Sequence, residues 1–441
     1  MKQRDYYLKV AVMPALALSI LLAGCDKKPK VPLVGEREAV FVGDEPLKAD
    51  ATLSGTPVTL PQPYVNLAWP TASGHPTHAM DPVKVRDALK EVWSASIGRG
   101  SDSTARLLNG PIAAENKVFA IDTTGEVTAF DLETGRQLWR TDTTPESRSI
   151  QAFSGGLAYD QGFLFVVTPN AEIVMLSAAT GEVKERFALS APVRSAPTVK
   201  NGMIYAVNIN NQIEVIDYQT GQPVWSHAGI VEVAGLLGGA SPAVTSDLVV
   251  VPYTSGEVYA LHPVTGVPLW SDTLMSFSKL DPVSTLYHIK ARPVIKDHMV
   301  YLIGNGGLMR ALETNSGRVV WSQKVSGMRS PAVAGAYLFM VTNNNELACL
   351  NRLTGRIHWV RNLPRFEKED AKSEPILWAG PIIVNDSLVL AGSHGQALIV
   401  SAKDGETRQA LELGRTTFLS PIAVQETVLF LTDTGKLIAF R

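Results

Sequence analysis

Between Ser241 and Trp270 the chain passes through one complete unit of apolar runs broken by polar turns. Pro242 opens the unit, and Leu248–Val251 is an apolar, β-branched run of strand character. Ser255-Gly256 reads as a two-residue hairpin turn, because glycine takes a positive φ with no Cβ clash. Val258–Leu261 is a second strand, Thr265-Gly266 turns again, and Pro268–Trp270 begins a third.

This unit recurs along most of the chain. The inner turn occurs eight times, at Thr124-Gly125, Asn170-Ala171, Asn210-Asn211, Ser255-Gly256, Gly306-Gly307, Asn344-Asn345, His394-Gly395 and Thr434-Gly435. Seven of the eight carry Gly or Asn in the second position, where a positive φ is required. The steps run from 38 to 51 residues, with a mean of about 44, which is the spacing of propeller blades. An apolar strand follows each turn, from VTAFD after the first to LIAFR after the last.

The second turn occurs seven times and ends in Gly135, Gly181, Gly221, Gly266, Gly317, Gly355 and Gly405. Four residues later stand Trp139, Trp225, Trp270, Trp321 and Trp359, with Glu185 and Gln409 in the remaining two slots. A large flat side chain at one place per blade suits the wedge between neighbouring sheets. The eighth unit stops at Arg441 without an outer strand, while Leu89–Ser94, containing Trp93, repeats the Pro268–Ser271 pattern at the other end of the chain. The prediction is an all-β, eight-bladed propeller of four-stranded antiparallel blades, its last blade closed by the N-terminal strand around Trp93.

Composition changes this picture little, and the N-terminus changes it more. The 441 residues are 45% hydrophobic and 19% charged, with a net charge of −2 and no basic block to favour nucleic acid. Of the two cysteines, Cys25 and Cys349, only Cys349 lies among the repeats, so the propeller can hold no internal disulfide. Lys2, Arg4 and Lys9 precede an apolar run, Val10–Leu22, too short to span a membrane comfortably. The run ends in Leu21-Leu22-Ala23-Gly24-Cys25, which resembles a bacterial lipobox. That resemblance implies a signal peptide over 1–24, diacylglycerol on the Cys25 sulfur and an acyl chain on its new amine. Asp26 is the residue that in enteric bacteria tends to hold a lipoprotein in the inner membrane. Residues 25–84, rich in Pro, Thr and Ala and without a sustained period, read as a flexible tether, with 85–441 as the propeller. His75 and His78 in the tether read as a plain polar loop.

The turn-and-Trp repeat resembles that of pyrroloquinoline-quinone (PQQ) dehydrogenases, propellers that carry quinone and calcium in the central channel. The ring cysteine pair of those enzymes is absent, and no carboxylate cluster repeats at the channel position. Cys349 occupies the slot of Ala260 and Ala311 and reads as core. The whole arrangement resembles more closely the BamB family, lipoproteins of the outer-membrane β-barrel assembly machinery. The shared features are lipobox, tether, eight repeats and the segments Gly238–Val244, Lys290–Ile295 and Trp378–Ile382. The resemblance implies a non-catalytic scaffold with neither cofactor nor metal, on the periplasmic face of the outer membrane. Its partners would be a BamA-like barrel-insertase subunit and the other assembly lipoproteins. A family contact segment, Leu-x-Leu-Arg, has its last two positions at Leu236 and Leu237, with Ala234 for its first Leu and no Arg. A second, Asp-Val-Asp, falls on His288-Ile289-Lys290 and loses both acids. The expected partner-binding residues are therefore Leu236, Leu237, Leu286, His288 and Lys290, on two loops side by side at one rim. The competing expectation is a periplasmic propeller that binds PQQ or another ligand, as an oxidoreductase.

Other motifs are weak. Ile303–Gly307 is glycine-rich but lies in a hairpin with no helix to follow, so it is no phosphate cradle. The eight histidines form no HExxH, and GxSxG is absent.

Overall fold

The computed structural model describes residues 46–53, 55–144, 155–232, 236–275 and 287–441. Cys25, Asp26, the leader and Leu286 lie outside the described residues. Eight four-stranded antiparallel sheets form the blades: 112–142, 157–188, 198–228, 243–273, 294–323, 332–362, 378–412, and 422–440 together with Glu91–Ser96. The last sheet runs in the order Glu91–Ser96, Lys436–Phe440, Thr427–Leu431, Ile422–Val424, so both ends of the propeller sequence meet in one blade. Phe366–Lys368 and Ser373–Pro375 add a small hairpin between blades six and seven.

The inner turns are longer than two residues. In blade four the Gly256 N–H donates to the Tyr253 carbonyl (3.2 Å) and the Tyr253 N–H donates to the Glu257 carbonyl (2.9 Å). This encloses Thr254-Ser255-Gly256 as a tight turn followed by one left-handed residue, the three-residue hairpin rather than the primed two-residue one. Only the last residue needs a positive φ, and it has one in all eight turns, including Ala171 at 55°.

The outer strands explain the tryptophan slot. In blade four Trp270 pairs with Ala260 but Pro268 pairs with Leu261, which leaves Leu269 as a one-residue bulge, half exposed to solvent. The same slip precedes the slot in every blade. A bulge re-aims the next side chain, and here it directs the ring onto the second turn of the following blade. Six indole Nε1 groups donate to a carbonyl there: Trp93 to Leu132 (3.1 Å), Trp139 to Ala178 (3.2 Å), Trp225 to Pro263 (2.9 Å), Trp270 to Thr314 (2.7 Å), Trp321 to Arg352 (2.9 Å) and Trp359 to Ala402 (3.1 Å). The core accordingly lies in wedges between adjacent sheets, with Cys349 fully buried in one of them as a free thiol.

The flexible stretch expected up to residue 84 does not extend into the described part of the chain. From residue 46 on, the chain is a strap laid across the face that carries the turns between first and second strands. Lacking a period, it forms no sheet of its own and satisfies its backbone against the blades instead. Trp69 exchanges both backbone hydrogen bonds with Ala113 (2.7 and 2.9 Å), and the carbonyls of Asn66, Pro70, Pro76 and Thr77 accept from Gln425, Tyr159, Val244 and Ile295. Val58, Trp69, Val83, Val85 and Leu89 are buried. Asp50 pairs with Arg356 at 2.8 Å. His78 is part of this packing and not a polar loop residue: it is buried, with Nδ1 2.7 Å from the Pro293 carbonyl.

Candidate functional site

Two neighbouring connections and the channel beside them hold the polar groups that the blade repeat does not explain. The connections join blades three to four and four to five. Each starts beside an inner turn, where Gly229 N–H donates to Asn211 O (2.8 Å) and Leu274 N–H to Gly256 O (2.9 Å). They therefore share the face opposite the strap.

The four expected contact residues that are described, Leu236, Leu237, His288 and Lys290, do not form one exposed patch. Leu236 and Leu237 are half-buried, and Leu237 lines the central channel. His288 is buried rather than exposed: its Nδ1 accepts the Leu236 N–H at 2.8 Å, which ties the two loops together. Lys290 turns into the channel and not onto the rim. Residues 236–240 and 288–292 lead into the innermost strands of blades four and five, Ala243–Val244 and Val294–Lys296, and so carry these side chains toward the axis. Among the described residues of the first loop, the exposed apolar ones are Ile230 and Val231, at 59% and 64% exposure. The Ile230 backbone is pinned, its N–H donating to Glu257 (2.8 Å) and its carbonyl accepting from Asn211 (2.5 Å).

The channel encloses about 420 Å³ and is closed at one end by the strap residues Trp69, Ala72, Ser73, His78 and Met80. Lys290, Arg292 and Arg329 stand on its wall near one another. Burial, then the Arg329 and Arg292 charges, push the Lys290 ammonium down to about 8. Burial, then Arg329, brings Arg292 down to about 10, and burial alone does the same to Arg329. Asp433, also on the wall, is engaged by Arg106 (3.3 Å) and by the Ser101 hydroxyl (3.0 Å). The pattern of small residues before each inner strand could have revealed Arg292. The residue before the opening proline is Gly110, Ala196, Ser241, Ser330, Gly380 and Ser420 in six blades, and Arg292 in one.

The quinone propellers that this repeat resembles carry calcium in the channel. A calcium site needs six to eight oxygen ligands, carboxylates prominent among them. Among the described residues no group of three His, Cys, Asp or Glu side chains is placed to hold a metal ion, and the channel wall is cationic. The donor set does not fit calcium.

Both buried histidines lie at this site and make stability depend on pH. Burial, then the Arg292 charge, lowers His78 to about 3, and burial, then Lys290, lowers His288 to about 4. Below the ordinary value of about 6.5 the unfolded chain takes up protons that the folded chain refuses. The histidine contribution is therefore level above about pH 7 and falls as the pH drops from 6.5 toward 4, by about 1.4 kcal/mol per pH unit for each histidine. His288→Asn keeps an acceptor for the Leu236 N–H and should flatten half of this slope in urea titrations at pH 7.5, 6 and 5. An unaltered slope would sink the assignment.

Comparison with known proteins gives three kinds of likeness. The family described as "Outer membrane protein assembly factor BamB" matches residues 123–361. The BamB of Yersinia pestis is 24% identical over 356 residues, covering 79% of this chain and 88% of that protein. The crystal structure of BamB from Moraxella catarrhalis superposes with a TM-score of 0.67 at 17% identity, covering 80% of this chain and 100% of that one. A europium-containing methanol dehydrogenase gives 0.64 at 15% identity, over 84% of this chain and 89% of that one. The two structural likenesses establish a shared propeller and no more. Among the described residues no helix is long and apolar enough to cross a membrane.

Proposed function

The chain belongs to the family of the outer membrane protein assembly factor BamB, and from that premise we propose that it is a non-catalytic scaffold in outer-membrane protein assembly. It binds the periplasmic domains of a BamA-like barrel insertase, works beside the other assembly lipoproteins, and assists the insertion of outer-membrane proteins. It is held on the periplasmic face of the outer membrane by acyl chains on Cys25. The observation that carries this reading is the family match across blades one to six.

The partner surface is the rim formed by the two loops. Its apolar contacts are Ile230, Val231 and Leu236, with Leu286 in the neighbouring loop. His288 acts from beneath by holding Leu236 in place, while Leu237 and Lys290 shape the channel mouth. A pinned backbone under exposed aliphatic side chains limits the ordering cost of binding.

Crosslinking in intact membranes, followed by capture and identification of the partner, tests this. Ile230→Ser with Val231→Ser should weaken capture of the insertase by roughly tenfold or more, as loss of an interface hot spot does, at an unaltered melting temperature. Leu236→Ser with Leu237→Ser should also weaken capture, with some loss of stability because both side chains are half-buried. Full capture by both variants would remove the rim from the interface. In the same membranes Cys25→Ser should release the chain, and wild-type protein found in the inner membrane would instead assign Asp26 a retention role.

A further inference from the structure

The axis of a propeller has to be filled, and here part of the filling is positive charge without a counter-charge. Arg329 Nε donates to the Trp378 carbonyl (2.9 Å) and its Nη1 to the Phe418 carbonyl (3.2 Å). Arg292 Nη2 donates to Asn109 Oδ1 (3.2 Å). All three acceptors are neutral. Arg292 Nε is buried with no hydrogen-bond partner, and Lys290 makes no ion pair among the described residues. A guanidinium carries five N–H donors in a rigid fork, so each arginine keeps donors to spare once the backbone has oriented it. The neutral acceptors fix the direction of the forks and leave their charge uncompensated. Buried charges are ordinarily paired, and the wall carboxylate, Asp433, is committed to Arg106 and Ser101.

We propose that the central channel is a binding site for a small, multiply charged oxyanion of the phosphate or polycarboxylate class, held by Lys290, Arg292 and Arg329. Planar forks match oxyanions in pairs of parallel hydrogen bonds, which a spherical halide cannot accept. The size limit comes from the walls: about 420 Å³ lies in the range of small-molecule sites, roughly 300–1,000 Å³. The strap closes one end, so the anion enters from the face of the inner turns, past Asn343 and Asn345.

The test is calorimetric titration of the full-length chain in mild non-ionic detergent. Inorganic phosphate and citrate are the probes, with chloride at matched ionic strength as reference. The expected result is saturable 1:1 binding of phosphate or citrate and none of chloride, the tighter probe identifying the class. Arg292→Gln and Arg329→Gln should each weaken binding about tenfold or more, the usual effect of losing a charge-assisted hydrogen bond. Lys290→Gln changes a side chain that is only half-buried and makes no ion pair among the described residues, so it should fold in any case and weaken binding severalfold. It should also shrink the rise in melting temperature that the anion gives the wild type. Heat that does not saturate at millimolar anion overturns the site. So does binding that Lys290→Gln leaves unchanged together with whichever arginine variants fold.

Discussion

Removal of the last ten residues, Thr432–Arg441, should abolish the cooperative fold. The deletion takes out Lys436–Phe440, which is not an edge strand: it sits between Thr427–Leu431 and Glu91–Ser96. One cut therefore breaks two ladders and leaves the N-terminal strand with no sheet to join. Leu437, Ile438, Ala439 and Phe440 are at most 4% exposed. Burial of a large apolar side chain contributes about 1.5–3 kcal/mol, so this strand alone approaches the roughly 5–15 kcal/mol that stabilises a typical domain. The reciprocal hydrogen bonds between Lys90 and Arg441, both 2.9 Å, disappear with it. Far-ultraviolet circular dichroism against temperature is the measurement. A truncated chain that still melts cooperatively within a few degrees of wild type would mean that the blade does not need both termini. Deletion of residues 46–62 should have a smaller but distinct effect, since it removes buried Val58 and the Asp50–Arg356 pair and leaves every blade intact.

The second large effect is expected where a tryptophan meets the next blade. Trp270→Ala should destabilise by about 3–5 kcal/mol, through an emptied wedge and an unpaired Thr314 carbonyl. Gly317 lies over the same ring. Its φ is 67°, and a Cβ placed there would come within 2.7 Å of the Trp270 ring. Gly317→Ala thus meets two obstacles, a left-handed backbone that costs an L-residue about 1–2 kcal/mol and a clash. In a Trp270→Ala background only the first remains. The double variant should therefore be less destabilised than the sum of the two single changes, by on the order of 1 kcal/mol. Denaturant midpoints of the four proteins check this. Additive effects would mean that ring and turn do not bear on each other.

What was legible in the sequence was whatever repeats. The turn residues, the apolar strands and the Trp slot recur in every unit, and the terminal half-units match, so blade number and ring closure follow from local chemistry. The inner turn was misread by one residue, because a positive φ at Gly256 is common to two- and three-residue hairpins and only the Tyr253–Glu257 bond separates them. The strap was illegible for a different reason. Pro70, Pro76 and Thr77 bond to blade residues 89, 168 and 218 positions further along the chain, and nothing in a window around them announces it. The channel lay between these cases. Arg292 breaks a run of small residues at one repeat position, yet only ring geometry brings it beside Arg329. Lys290 and His288 look like loop polarity in one dimension and become a half-buried channel cation and a buried brace in three.

The strap also fixes an order of events during synthesis. It is made before any blade, yet the partners of its hydrogen bonds outside itself belong to blades not yet made, reaching as far as Gln425, close to the C-terminus. With no ladder or apolar period of its own, it cannot hold a native shape until the ring exists. The first part of the propeller chain to emerge is therefore among the last to find its place. Contacts this distant in sequence delay folding, so the nascent chain passes through a long interval with its channel uncapped and its N-terminal strand unpaired.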